Sequence, residues 1–191
     1  MRVLTWNIQW GRGADGRVDL ARSVAAIRAA GEVELVCLQE VACNFPGLAG
    51  GAREDEPAHI AAAFPGFEAV FGAGMDVPDG GGGRARFGKL LLSRLPVGQV
   101  FRHLRPAPAD ADFPSMQRVC VEAVVSTARG PLRVMTTHLE YYSARPAPGT
   151  GRSVARAAGR GSGAGGGSGA RQGVEPGVRR TSPPGVGDRV R

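Results

Sequence analysis

Three polar side chains in this sequence each follow a short apolar run. Asn7 follows Val3-Leu4-Thr5-Trp6, Glu40 follows Leu35-Val36-Cys37-Leu38-Gln39, and His138 closes Leu132-Arg133-Val134-Met135-Thr136-Thr137. A carboxylate just past a buried strand is costly unless a partner satisfies it. The carboxyl ends of strands are also where α/β sheets keep their ligands. If the first two runs are parallel neighbours, the Asn7 amide and the Glu40 carboxylate reach one sheet edge. Such an oxygen pair suits Mg²⁺, which keeps waters and takes one or two protein carboxylates.

The elements between these residues set that geometry. Leu35, Val36, Cys37 and Leu38 form a continuous apolar run with acids at both ends, the pattern of a strand buried on both faces. Leu20, Val24 and Ile27 recur at helical spacing, with Asp19 as cap and Gly31 as stop. The first forty residues therefore predict a β-loop-α-β unit with its two strands parallel. Beyond it, a short helix is expected over 58–64 and strands over 67–71, 87–92, 97–104, 119–125 and 132–138. Loops are expected over 44–57, 76–86 and 106–114. One helical crossover followed mostly by strands and hairpins is an α+β layout.

Net charge is +7, but its location decides its meaning. Residues 144–191 hold nine Arg against Glu175 and Asp188, which leaves fifteen basic and fifteen acidic residues in 1–143. The body is neutral, so overall basicity does not mark it as a nucleic-acid binder. Cys37, Cys43 and Cys120 form no C-x-x-C pair, and no run is long enough to span a membrane. A reduced, cytoplasmic protein with no obligate protein partner is expected.

Four motifs in order carry a resemblance. Leu4-Thr5-Trp6-Asn7-Ile8, Val36-Cys37-Leu38-Gln39-Glu40-Val41, Gly88-Lys89-Leu90-Leu91-Leu92-Ser93-Arg94 and Thr136-Thr137-His138-Leu139 resemble the endonuclease/exonuclease/phosphatase family. That family includes deoxyribonuclease I, abasic-site endonucleases, sphingomyelinases and inositol polyphosphate 5-phosphatases. The resemblance implies an α/β (α+β) fold, one half of a four-layer α/β sandwich of the deoxyribonuclease I-like type, over residues 1–143. It implies a metal-dependent phosphodiesterase or nuclease-type hydrolase using Mg²⁺ or Mn²⁺. Its substrate would be a phosphodiester or phosphomonoester in a nucleic acid, a lipid head group or an inositol phosphate.

By the same resemblance, Glu40 matches the principal metal ligand and Asn7 the amide at the metal-phosphate site, with a share in catalysis. His138 matches the catalytic His that hydrogen-bonds the scissile phosphate and assists the leaving group. Arg118 resembles a basic residue that approaches the substrate phosphate. Lys89 stands where the family commonly has Asn. The Gly-Asp-apolar-Asn and Ser-Asp-His motifs of the second half have no match, since Asp188 is followed by Arg189-Val190-Arg191.

After Tyr142 the composition changes. Residues 144–191 contain thirteen Gly and no aromatic residue, Leu, Ile or Met. Such a segment cannot offset the entropy of ordering its backbone, so a disordered Arg/Gly-rich tail is expected. Arg, Gly, Ala, Pro and Ser are also what GC-rich DNA encodes in a wrong frame. The expectation is a truncated hydrolase, weakly active or inactive, with a possibly out-of-frame tail. The alternatives are a nucleic-acid-binding protein acting through that tail and a non-functional frameshift product.

Overall fold

Alternation along the second strand organises the molecule. In a computed structural model, which describes residues 1–105 and 116–139, this strand is β2, Leu35–Cys43. Val36 and Leu38 point to one face and Leu35 and Cys37 to the other, and both faces are buried. On the first face lie α1 (Leu20–Ala29) and α2 (Glu56–Ala63). Their Leu20, Val24, Ile27 and Ile60 pack with Val36, Leu38, Leu90 and Leu92. On the second face lies another sheet, whose Val121, Ala123 and Val125 pack with Leu35, Cys37, Val70 and Leu91. The layers are thus helices, sheet and sheet, an α/β sandwich with few helices.

The first sheet runs β1 (Val3–Asn7), β2, β4 (Arg84–Ser93), β3 (Glu68–Pro78). As the helical crossover predicts, β1 and β2 are parallel, while β2–β4 and β3–β4 are antiparallel. The second sheet is antiparallel, in the order β5 (Val97–Leu104), β6 (Val119–Thr127), β7 (Gly130–Thr137). The sheets approach closely at Gly72 of β3, where a Cβ would collide with the Val121 side chain.

Asp19 caps α1 by accepting the Arg22 N–H, and Gly31 follows the helix with φ +82°. The loop expected over 76–86 is instead mostly strand. β3 continues to Pro78 and β4 begins at Arg84, so the glycine run is confined to a tight turn. Asp79 Oδ1 holds that turn by accepting the N–H groups of Gly81 (2.7 Å) and Gly83 (2.9 Å). Pro78 is tolerated because β3 is an edge strand.

All described residues lie in one compact unit, Met1–Arg160. No helix among them is long and apolar enough to cross a membrane. The expected loop over 106–114 and the expected tail over 144–191 fall outside the described residues.

Candidate active site

The sequence places Glu40 past the end of its strand; the structure places it inside β2, at a break in register. Gln39 pairs with Lys89 and Val41 with Gly88, which leaves Glu40 as the extra residue of a β-bulge. Its φ is +56°, a conformation an L-residue adopts only at a cost. The bulge resolves a conflict in alternation. Leu38 and Val41 both join the helix-side core, which an unbroken strand forbids for residues three apart. The residue released between them is Glu40.

The bulge brings Glu40 to His138. The Glu40 Oε1 lies 3.4 Å from His138 Nδ1, with side-chain exposures of 17% and 27%. His138 directly follows β7, so the pair joins the two sheets at one end of the sandwich. Asn7 ends β1 in register with Gln39, one position before Glu40. Its Oδ1 accepts the Gln9 N–H at 3.1 Å, which fixes the amide at the start of the following turn. The three polar residues do not end strands of one sheet, as the sequence suggests they would: Asn7 and Glu40 stand on paired strands of the first sheet, and His138 follows a strand of the second.

Gln39 and Thr136 were not singled out in the sequence. Gln39 is buried, and its Nε2 lies within hydrogen-bond distance of Thr5 Oγ1 (3.1 Å), Cys37 O (3.0 Å) and Thr136 Oγ1 (3.1 Å). One amide thus ties β1, β2 and β7 together beneath Glu40 and His138. The available signal was a Gln where strand alternation demands an inward side chain.

Arg118 is partly buried just before β6, and its carbonyl accepts the Arg105 N–H at 2.9 Å. It acts electrostatically on Lys89, as do Glu40, Cys120 and Arg105. Lys89 is only 4% exposed. Burial pushes its ammonium down to about 8; Arg118 and Arg105 press the same way, against Glu40 and Cys120. The neighbouring Cys37 thiol is pushed up to about 11 by burial, which makes it inert, and Cys43 and Cys120 are likewise free and buried.

Among the described residues no three His, Cys, Asp or Glu side chains form a closed cage. A single carboxylate, on the strand paired with the one that Asn7 ends, is instead the donor set of an open site. Mg²⁺ accepts such a site because water and substrate oxygens fill its other positions.

Residues 4–172 match the Endonuclease/Exonuclease/phosphatase family, a span that runs past residue 143. Among solved structures, the chain is similar to an endonuclease/exonuclease/phosphatase from Beutenbergia cavernae, with TM-score 0.57 and 29% identity. That match covers 74% of this chain and 38% of the other. An endonuclease/exonuclease/phosphatase family protein from Leptotrichia buccalis shares the fold at TM-score 0.57 and 14% identity. There the match covers 85% of this chain and 64% of the other. The chain thus spans less than two thirds of the length of either protein. No curated protein matches it. By its family match and by its fold, this chain belongs to the endonuclease/exonuclease/phosphatase family.

Proposed function

We propose that this chain carries the metal- and phosphate-binding part of a Mg²⁺-dependent phosphoric-ester hydrolase. The observation that supports it is the bulge at Glu40, which spends backbone strain to set a carboxylate beside His138 at the edge where Asn7 ends. Glu40 and Asn7 would hold Mg²⁺, with Mn²⁺ as its substitute. Bound there, the ion supplies Lewis acidity toward a non-bridging phosphoryl oxygen. His138 hydrogen-bonds the phosphate and assists the departing alkoxide, and the Glu40 carboxylate orients its ring. Arg118 contributes positive charge toward the phosphoryl group.

Hydrolysis also needs an aligned and activated water. Glu40 is the single carboxylate in the described cluster, and it is committed to the metal. The sequence supplies no Gly-Asp-apolar-Asn motif to take that role. The chain by itself is therefore a weak catalyst.

The test is hydrolysis of bis-p-nitrophenyl phosphate by this chain and by the Beutenbergia cavernae protein, with Mg²⁺ and with a chelator. Turnover is expected in the longer protein and orders of magnitude less in this chain, abolished in both by chelation. The residual rate of this chain should fall to background in Glu40→Gln. Chelator-resistant hydrolysis, or an unchanged rate in Glu40→Gln, would overturn the reading.

A further inference from the structure

Lys89 is the only lysine in the sequence, and it is buried. It shares a face with Leu91, whose side chain lies in the core between the sheets. Its register neighbours are Gln39 on β2 and Gly72 on β3. Gly72 offers no side chain to pair with it, and the Gln39 amide, whose nitrogen donates toward Thr5, Cys37 and Thr136, makes no hydrogen bond to it through its oxygen. Among the described residues no hydrogen bond or ion pair engages the Lys89 ammonium. A buried cation without such a partner costs stability, and this one stands on β4 opposite Gln39, the residue before the bulged Glu40.

Packing does not explain this choice. An apolar side chain of the same length would fill the space between the sheets at no electrostatic cost. What an ammonium adds is three donors on a charge, suited to a phosphoryl oxygen as a point contact. Resting on the phosphoester reading above, we propose that Lys89 is a substrate-phosphate contact, giving this site a hold on a phosphoryl group that does not depend on a metal ion. An anionic phosphoryl oxygen bound beside Glu40 supplies a partner that the ammonium lacks among the described residues. The site then has two anchors for one phosphate, the metal on Glu40 and the ammonium of Lys89.

Binding to the full chain in excess chelator tests this, with inorganic phosphate, phenyl phosphate and dimethyl phosphate as probes. Biosynthetic ¹³C-lysine labelling reports on Lys89 alone, because no second lysine contributes a signal. Phosphate is expected to bind without metal and to shift that resonance. Comparing phenyl with dimethyl phosphate shows whether a monoester or a diester is held. Lys89→Met should weaken phosphate binding at least about tenfold, the loss of a charge-assisted hydrogen bond. The same variant should melt higher, because a buried unpaired charge is gone, so weaker binding cannot be put down to misfolding. Lys89→Arg should restore part of the affinity. Metal-free phosphate binding that is absent in the wild type, or equal in wild type and Lys89→Met, overturns the assignment. Either result leaves the metal-dependent reading to its own chelation assay.

Discussion

The carboxylate of Glu40 lies 3.4 Å from the Nδ1 of His138, although the two belong to different sheets of the sandwich. The contact exists because β2 inserts one residue opposite β4, and that residue sits at φ +56°. The backbone carries a cost of about 1 kcal/mol for this conformation, which a glycine would not. Glu40→Gly should therefore hold stability within about 1 kcal/mol of wild type in urea unfolding. The same variant should lose Mn²⁺ binding, measured by the water-relaxation effect of the bound ion. Retained Mn²⁺ affinity would remove Glu40 from the metal site.

Gln39 holds the sheets together beneath that pair. Gln39→Ala strips Thr5 and Thr136 of a shared donor and opens a cavity under Glu40. A loss of about 2 kcal/mol is expected for a buried, multiply bonded amide. Thr136→Val should cost less alone, and the double variant less than the sum, since both remove one contact. Strictly additive losses in urea unfolding would show that the bridge contributes nothing.

Periodicity showed much of this frame in the sequence. The spacing of Leu20, Val24 and Ile27 fixed α1, and the unbroken run 35–38 marked a strand buried on both faces. Asn7, Glu40 and His138 were legible because polar groups that end apolar runs need a reason. The bulge was not legible. Alternation sends Gln39 and Glu40 to opposite faces, and only pairing with β4, some fifty residues on, shows where the register slips. The β3–β4 hairpin was hidden for a related reason. Local composition around the glycine run reads as loop, while the pairing of Val77 with Ala85 and the Asp76–Arg84 ion pair at 2.8 Å are set by the partner strand. Lys89 looked like a departure from a motif, and its burial needed both sheets to be seen.

The composition switch after Tyr142 makes a prediction about the coding DNA. The body already uses Ala, Gly and Arg heavily and a single Lys, as GC-rich coding does. The family match nonetheless runs on to residue 172, across the switch. If a shifted frame encodes the tail, another forward frame read past codon 145 should give an amphipathic helix. A Gly-Asp-x-Asn strand end and then Ser-Asp-His should follow it. Sequencing the gene checks this directly. No such motifs in either alternative frame would mean that the Arg/Gly-rich segment is genuine coding sequence.

Glu56 makes the stability of the first sheet depend on pH. It opens α2 with only 4% exposure, and its Oε2 accepts the backbone N–H of Ala42 at 2.8 Å, which pins the helix to β2 just past the bulge. Burial pushes its carboxyl up to about 7; the Ala42 hydrogen bond opposes this and the charge of Glu54 adds to it. Below pH 4.5 the group is protonated whether the chain is folded or not. Between 4.5 and 7 the unfolded chain releases a proton that the folded chain keeps, so rising pH favours unfolding. Above 7 both states are ionised, and the folded state bears the full cost of a buried carboxylate. The contribution lost across this window is on the order of 3 kcal/mol. Glu56→Gln keeps an oxygen for the Ala42 N–H but cannot ionise. Its urea midpoint should overtake that of the wild type between pH 5 and 8, while the two lie close together at pH 4.5. Parallel midpoints across that range would show that Glu56 does not titrate there.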